Sequence, residues 1–351
     1  MRNSPKLDSV RIFFQSGIQY FSYVKTQFFL TVMLFYLSQV ESLEALHAFE
    51  FPKIDLWDYI YLIRPYGWIS NFVSIGFGLL LTQVWVLHGP SILLNYILVG
   101  IAVGPLLWGG LYTFNSVFDA EFDRMHPTKK QRPIASYRVS KNMGLLIATI
   151  HVALGLVILS LVSVIGFFLG LLMVGLQVLY CFPPFRLKET IVNLFFSGPM
   201  NHFLRILIGW TLVLPLLEAP YLFLIGITCI LAIGYLSYKV QDKDVSEELG
   251  YHGLENYLQK RGVIVFDCFL AITASLLIAL AFFIHQITWH LLFFIPLSMG
   301  IFIYIWISSS SLWQVAKPDI YIGKLHNLLK IFFLIEWVII IIQLFPFLTL
   351  Y

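Results

Sequence analysis

Apolar runs of about 20 residues, each enough to cross the roughly 30 Å of a bilayer's hydrocarbon, recur nine times along the chain. They lie near 67–87, 92–114, 141–162, 163–183, 190–216, 219–237, 262–285, 288–308 and 327–350, and each predicts a membrane-spanning helix. QFFLTVMLFYLSQV, residues 27–40, is shorter and predicts an interfacial or re-entrant helix rather than a tenth span. The region before it is too long for a signal peptide, and cleavage would leave the basic loops on the wrong side. WDYIYLIRPYGW, residues 57–68, mixes aromatic and basic side chains as helices at the headgroup level do. The expected organisation is an N-terminal extension with a short apolar helix over 1–54 and one transmembrane domain over 55–351.

Composition agrees with the pattern. Of 351 residues, 59% are hydrophobic and 12% charged, and the mean hydropathy is +0.84. Those values exclude an ordinary soluble domain and predict an all-α, polytopic membrane protein with about nine helices. Cys181, Cys229 and Cys268 sit in or beside apolar runs at no metal-ligand spacing, so no disulfide framework is expected. The histidines likewise show no ligand spacing, and nothing in the chain points to nucleic acid or to an obligate protein partner.

Net charge is only +3, so its distribution matters more than its total. With the N-terminus inside, every lysine and arginine outside the spans falls before the first span or in the joints after the second, fourth, sixth and eighth. The opposite joints are short and carry none. By the positive-inside rule the basic face is cytoplasmic, and all the polar motifs lie on it.

The first of those motifs is NSVFDAEFD, where Asn115, Asp119 and Asp123 fall four apart directly before the basic stretch RMHPTKKQRP. On a helix that spacing stacks one amide and two carboxylates on one face, an oxygen donor set suited to a hard divalent cation. Cations just beyond the acids point to an anionic ligand on the metal, and the combination predicts a diphosphate held by Mg²⁺ at the membrane edge. A second acidic cluster, Asp242, Asp244, Glu247 and Glu248, follows the sixth span. Two clusters at the cytoplasmic ends of even-numbered spans are expected to face each other across a central cavity, as two ions bridging one diphosphate require. The plain alternative is solvated loop acids balancing the basic loops.

NSVFDAEFD followed by KKQRPIAS, then YCFPPFRLK after the fourth span, then YKVQD with a nearby second acid and Gly250, resemble the UbiA superfamily of intramembrane prenyltransferases over roughly 55–350. The family's N-x-x-x-D-x-x-x-D pattern falls on Asn115, Asp119 and Asp123. Its R-P-x-x-S-G falls on Arg132, Pro133 and Ser136, with Tyr137 in place of glycine. Its Y-S-x-P-P-x-R-L-K falls on Tyr180, Pro183, Pro184, Arg186, Leu187 and Lys188, with Cys181 in place of serine. In the second acidic motif Tyr238, Gln241, Asp242 and Asp244 match, whereas Ser246 stands where many members carry a third acid. Either Glu247 or Glu248 takes that role, Glu248 being the stronger substitute at four residues after Asp244, or one ion is held more weakly.

The resemblance implies helices around a cavity and Mg²⁺ as cofactor, held by Asn115, Asp119, Asp123, Asp242, Asp244 and Glu248. It further implies a polyprenyl diphosphate donor and an aromatic or other lipophilic acceptor, as in quinone biosynthesis. The carboxylates of Asp119, Asp123, Asp242 and Asp244 carry the catalytic role. Arg132, Arg186 and Lys188 are candidates for the diphosphate oxygens, with Lys129 and Lys130 behind them, because charge growing on a departing diphosphate calls for positioned cations. A lipid-enclosed cavity would keep water from the allylic carbocation, and aromatic faces would shelter it.

Three charges fall in apolar runs, where they are expensive. Arg205 and Glu336 are expected either to pair, with each other or with buried polar groups, or to touch substrate; Asp267 is expected at the interface. Two other functions fit parts of the pattern. The run DRMHPTKKQRPIAS looks like the corresponding loop of decaprenyl-phosphate phosphoribosyltransferases, which transfer a sugar from phosphoribosyl diphosphate. A transporter would spread polar residues along several spans, whereas here they gather on one face.

Overall fold

The structure, a computed structural model, describes residues 55–83, 90–126, 129–182, 185–190, 198–233, 260–312 and 338. All regular structure among them is helical. In chain order the helices are α1 (Leu56–Ile63), α2 (Trp68–Leu81), α3 (Pro90–Ile101), α4 (Gly109–Phe118), α5 (Ala120–Met125), α6 (Lys141–Val162) and α7 (Val164–Cys181). They continue with α8 (Gly198–Trp210), α9 (Tyr221–Ala232), α10 (Lys260–Phe283) and α11 (Phe294–Leu312). Eight of the nine expected spans thus meet a helix; the ninth, apart from residue 338, and the 27–40 segment lie outside the described residues. Among the described residues, four helices are long and apolar enough to cross a membrane: Ser91–Phe118, Lys141–Val162, Val164–Cys181 and Gly262–Phe283.

Helix ends follow local chemistry. Ser140 caps α6 by accepting from Met143 N at 3.2 Å, and Ser163 caps α7 by accepting from Gly166 N at 2.9 Å. Ser163 itself is extended, φ −147° and ψ 117°, so one residue turns α6 into α7. Its hydroxyl satisfies an amide that the new helix leaves open. Between α3 and α4 the chain runs as a π-helix, Ala102–Trp108, with Pro105 inside. Proline has no N–H for the α ladder, and a wider turn carries the helix past it without a break. The result is one continuous element reaching Phe118, four residues beyond the expected end at 114, because the apolar signal stops before the helix does.

One other boundary differs from the sequence reading. The fifth span was expected to run to 216, but α8 ends at Trp210. Pro215 cannot continue the ladder, and its carbonyl instead accepts from Trp210 Nε1 at 3.0 Å, which folds the chain back. Asp267, expected at the interface, is fully buried. It lies two turns inside the described length of α10, which begins at Lys260, and it packs against protein.

The helices assemble around a main core that includes Phe77, Leu107, Met173, Phe223 and Phe294, and a smaller one of Leu62, Phe114, Val117, Ile134, Met143 and Cys181. The smaller core positions the polar end of α4, because it locks α1, α4, α6, α7 and the 129–140 loop together. The closest crossing is between α2 and α8. A Cβ on Gly78 would lie 1.9 Å from Ile206 O, and one on Gly209 would lie 1.8 Å from Ile75 O. Backbones touch there, as small residues allow between membrane helices.

Candidate active site

Asn115 sits in the last turn of α4, Asp119 at the junction of α4 and α5, and Asp123 in α5. Asp119 relaxes to φ −91° and ψ −3°, so the single helix expected through all three residues is kinked there. The four-residue ladder nevertheless persists, since Asp119 N donates to Asn115 O at 2.9 Å and Asp123 N to Asp119 O at 2.7 Å. The three side chains therefore remain on one face. Asn115 Nδ2 donates to Asp119 Oδ2 at 2.9 Å.

Each carboxylate meets a cation from elsewhere in the chain. Lys188, on the short 3₁₀ turn Leu187–Glu189, donates to Asp119 Oδ1. Arg132 Nη1 donates to Asp123 Oδ2 at 2.8 Å. Burial pushes the Asp123 carboxyl above its ordinary range; Arg132 pulls it back, and the neighbouring Asp119 charge pushes it up again. Two like charges in one sheltered place, with oxygen-only donors, fit a hard divalent cation, and Mg²⁺ takes one or two protein carboxylates and completes its shell with phosphate and water. Among the described residues no group of three or more His, Cys, Asp or Glu converges. Asp242, Asp244 and Glu248 lie outside them.

The basic loop is folded back onto α5. Arg124 Nε donates to Ala135 O at 3.1 Å, Ser136 Oγ to Arg132 O at 2.9 Å, and Arg138 Nε to Asp58 Oδ1 on α1 at 3.0 Å. Tyr137 adopts φ 62°, a left-handed conformation that explains the glycine usual in the family motif. The Arg124 guanidinium lies 4.0 Å from the Tyr137 ring centroid and holds the tyrosine in place. Lys129 and Lys130 occupy a 3₁₀ turn, Lys129 half-buried and Lys130 exposed. Arg186 is half-buried at φ 33° and ψ 53°, heading the turn that carries Lys188.

Two residues play parts that motif matching alone did not assign. Cys181 Sγ donates to Asn115 Oδ1 at 2.9 Å, and Gln177 Nε2 donates to Cys181 Sγ at 3.1 Å. The signal for Gln177 was present, since it is a lone amide in an apolar run one turn before Cys181.

Below the acids, toward the N-terminal end of α4, lies a ladder of cations and rings. Arg205 is 4% exposed, and its guanidinium lies 4.5 Å from the Trp108 ring centroid. Trp108 and Tyr112 are 5.2 Å apart, and the Arg64 guanidinium lies 4.9 Å from the Tyr112 ring. A cation–π contact contributes about 2 kcal/mol when desolvated, whereas burying an ion costs several kcal/mol. The rings alone do not offset the burial of Arg205. Glu336, its expected partner, lies outside the described residues.

Helices long and apolar enough to cross a membrane, with an acid-and-cation cluster gathered at the end of one of them, define the class of fold. The chain belongs to the UbiA prenyltransferase family, whose model matches residues 71–328. Decaprenyl-phosphate phosphoribosyltransferase of Mycobacterium tuberculosis is 32% identical over 123 residues, covering 34% of this chain and 40% of that protein. Digeranylgeranylglyceryl phosphate synthase of Saccharolobus solfataricus is 29% identical over 123 residues, covering 32% and 41%. The matches thus span about two fifths of these relatives. The structure of a UbiA homologue from Archaeoglobus fulgidus bound to DMAPP and Mg²⁺ superposes with a TM-score of 0.62 at 18% identity, covering 72% of this chain and 87% of that one. That likeness shows the fold.

Proposed function

We propose that this chain transfers a polyprenyl group from a polyprenyl diphosphate to a lipophilic acceptor within the membrane, with Mg²⁺ as cofactor. The observation that carries the reading is the meeting of Asn115, Asp119 and Asp123 with Lys188 and Arg132, which come from separate segments and converge on one helix end. Asp119, Asp123 and Asn115 would hold the cation on this side; Asp242, Asp244 and Glu248 are assigned to the other. When bound there, Mg²⁺ would supply positive charge against the diphosphate.

The protein's own groups do the rest by position. Arg132, Arg186 and Lys188 donate to the diphosphate oxygens, with Lys129 and Lys130 drawing the headgroup in. As the bond from carbon to the diphosphate oxygen breaks, its electron pair leaves with the diphosphate, and these donors stabilise the growing charge. The apolar walls exclude water, so the allylic cation waits for the acceptor rather than being hydrolysed. The acceptor's nucleophile forms the new bond and then loses a proton. An aromatic acceptor of the quinone-precursor kind and a lipid alcohol both suit this chemistry. The distribution of lysine and arginine along the sequence supports a site on the cytoplasmic side.

A second reading, sugar transfer from phosphoribosyl diphosphate to a polyprenyl phosphate, is favoured by the mycobacterial relative. Both use a diphosphate leaving group, so the donor decides. Purified protein is given geranyl diphosphate or phosphoribosyl diphosphate with Mg²⁺, and diphosphate release is followed in a panel of acceptors. Turnover of the first, abolished by EDTA and by Asp119→Asn, supports prenyl transfer; turnover of only the second overturns it.

A further inference from the structure

Two of the cations assigned above to the diphosphate are already engaged. Lys188 donates to Asp119 Oδ1 and Arg132 Nη1 to Asp123 Oδ2 at 2.8 Å, so each carboxylate expected to hold the metal carries a charge partner of its own. Both pairs are sheltered, the side chains of Asp123 and Lys188 being 3% and 7% exposed. Two carboxylates against two cations leave these four side chains with no net charge. A divalent cation entering alone would push Lys188 and Arg132 off their carboxylates, and a buried charge stripped of its partner is strongly destabilising. A diphosphate entering alone has the opposite defect: it would draw both cations to its oxygens and leave Asp119 and Asp123 unpaired beside an anion. Together the two ligands cancel each other's cost, because the carboxylates turn to the metal while the cations turn to the diphosphate.

The side chains can make this exchange without refolding. Lys188 has a flexible stem and stands on a turn fixed at its far end, where Thr190 Oγ1 donates to Leu187 O at 2.8 Å. Arg132 is held through its backbone, its carbonyl accepting from Ser136 N and Ser136 Oγ, each at 2.9 Å, which leaves the guanidinium to turn.

We propose that Lys188 and Arg132 plug the metal site until a diphosphate releases them, so that the ligand this site takes is the metal–diphosphate chelate and neither component alone. The proposal rests on the Mg²⁺ and diphosphate of the reading above, which both candidate donors share.

The test uses full-length protein in neutral detergent and reads binding rather than turnover. Mn²⁺, which accepts the same oxygen donors, is titrated alone, and the electron paramagnetic resonance signal of the free ion reports uptake. Lys188→Gln and Arg132→Gln should each bind Mn²⁺ at least about tenfold more tightly than wild type, although each has lost a donor to the diphosphate. Lys141→Gln is the control for loss of a cation, since Lys141 pairs instead with Glu121 at 2.7 Å, and it should change Mn²⁺ affinity by less than about twofold. In a second arm, thermophoresis follows geranyl diphosphate and phosphoribosyl diphosphate in EDTA and in Mg²⁺. Wild type should gain at least about tenfold from the metal for whichever it binds, and both variants should gain several-fold less. Should neither variant be monodisperse, Asp119→Asn gives the reciprocal measurement: with Lys188 released, diphosphate in EDTA should bind about tenfold more tightly than to wild type. Wild type that takes up Mn²⁺ as tightly as the variants, an equal gain in Lys141→Gln, a metal gain undiminished in the variants, or no gain in Asp119→Asn would each overturn the proposal. Binding of phosphoribosyl diphosphate but not of geranyl diphosphate would sink the prenyl-transfer reading instead and leave the exchange standing, because the Mn²⁺ arm contains no diphosphate.

Discussion

The Cys181 thiol donates to Asn115 Oδ1 at 2.9 Å, so the end of α7 fixes the amide that opens the acid motif. Gln177 holds the sulfur in turn, and Asn115 passes the order on to Asp119. A serine at 181 would keep the donor. Cys181→Ser should therefore retain activity within about threefold, whereas Cys181→Ala leaves the Asn115 oxygen unpaired and should lower turnover about tenfold, the equivalent of one lost buried hydrogen bond. A Mg²⁺ titration of both variants checks this: the alanine variant should need more cation for half-maximal rate, the serine variant should not.

Asp119→Asn and Asp123→Asn should each insert and fold yet lose Mg²⁺-dependent turnover by a factor of at least about 100, several kcal/mol of lost charge stabilisation. Lys188→Gln should lose less, because the diphosphate keeps its other donors. Steady-state diphosphate release, with melting temperature as the control for folding, decides the order.

In metal-free buffer the raised Asp123 carboxyl makes a pH prediction. A buried acid whose folded pKa exceeds its ordinary value binds more protons in the native state, so stability is highest below the ordinary carboxylate range and falls as pH rises through the raised value. Arg132 opposes the shift. Melting temperature should thus decline with rising pH from about pH 4 in wild type, decline further and to higher pH in Arg132→Gln, and lose this component in Asp123→Asn.

The α2–α8 crossing is predicted to tolerate no Cβ. Gly209→Ala should cost about 1–3 kcal/mol by overpacking and lower the melting temperature accordingly. Gly175→Ala is the matched control, since a Cβ there meets nothing within 4 Å, and it should leave melting unchanged.

Orientation is testable at two exposed positions, Lys130 and Ser91. Single cysteines there, in a background lacking the native three, should react with impermeant reagent from opposite sides, Lys130→Cys only from the cytoplasm. Labelling of both from one side would overturn the orientation and with it the placement of the site.

Much of the architecture was legible because hydrophobic length is a strong, local signal. The α6–α7 joint fell where expected because Ser163 sits between two apolar runs and is also a good cap. Asn115, Asp119 and Asp123 were legible because a four-residue repeat survives even the kink at Asp119. What sequence could not supply was contact across the chain. Lys188 and Arg132 were read as donors to a diphosphate, and nothing in their spacing said which carboxylate each would neutralise. The burial of Asp267 was not legible because it depends on which face a helix turns to its neighbours, and α10 turns that face inward. The end of α8 was overrun because an apolar run continues past Trp210 while the backbone ladder does not.

The meeting of Gly78 with Ile206 and of Gly209 with Ile75 also sets an order of assembly. The two helices are separated by more than a hundred residues, so at about 5–20 residues per second α2 waits on the order of ten seconds in the bilayer before its partner is made. Throughout that interval the groove around Gly78 faces lipid. The crossing therefore waits for α8, made well after α2, and a side chain at Gly209 would leave a protein that inserts normally but closes less tightly.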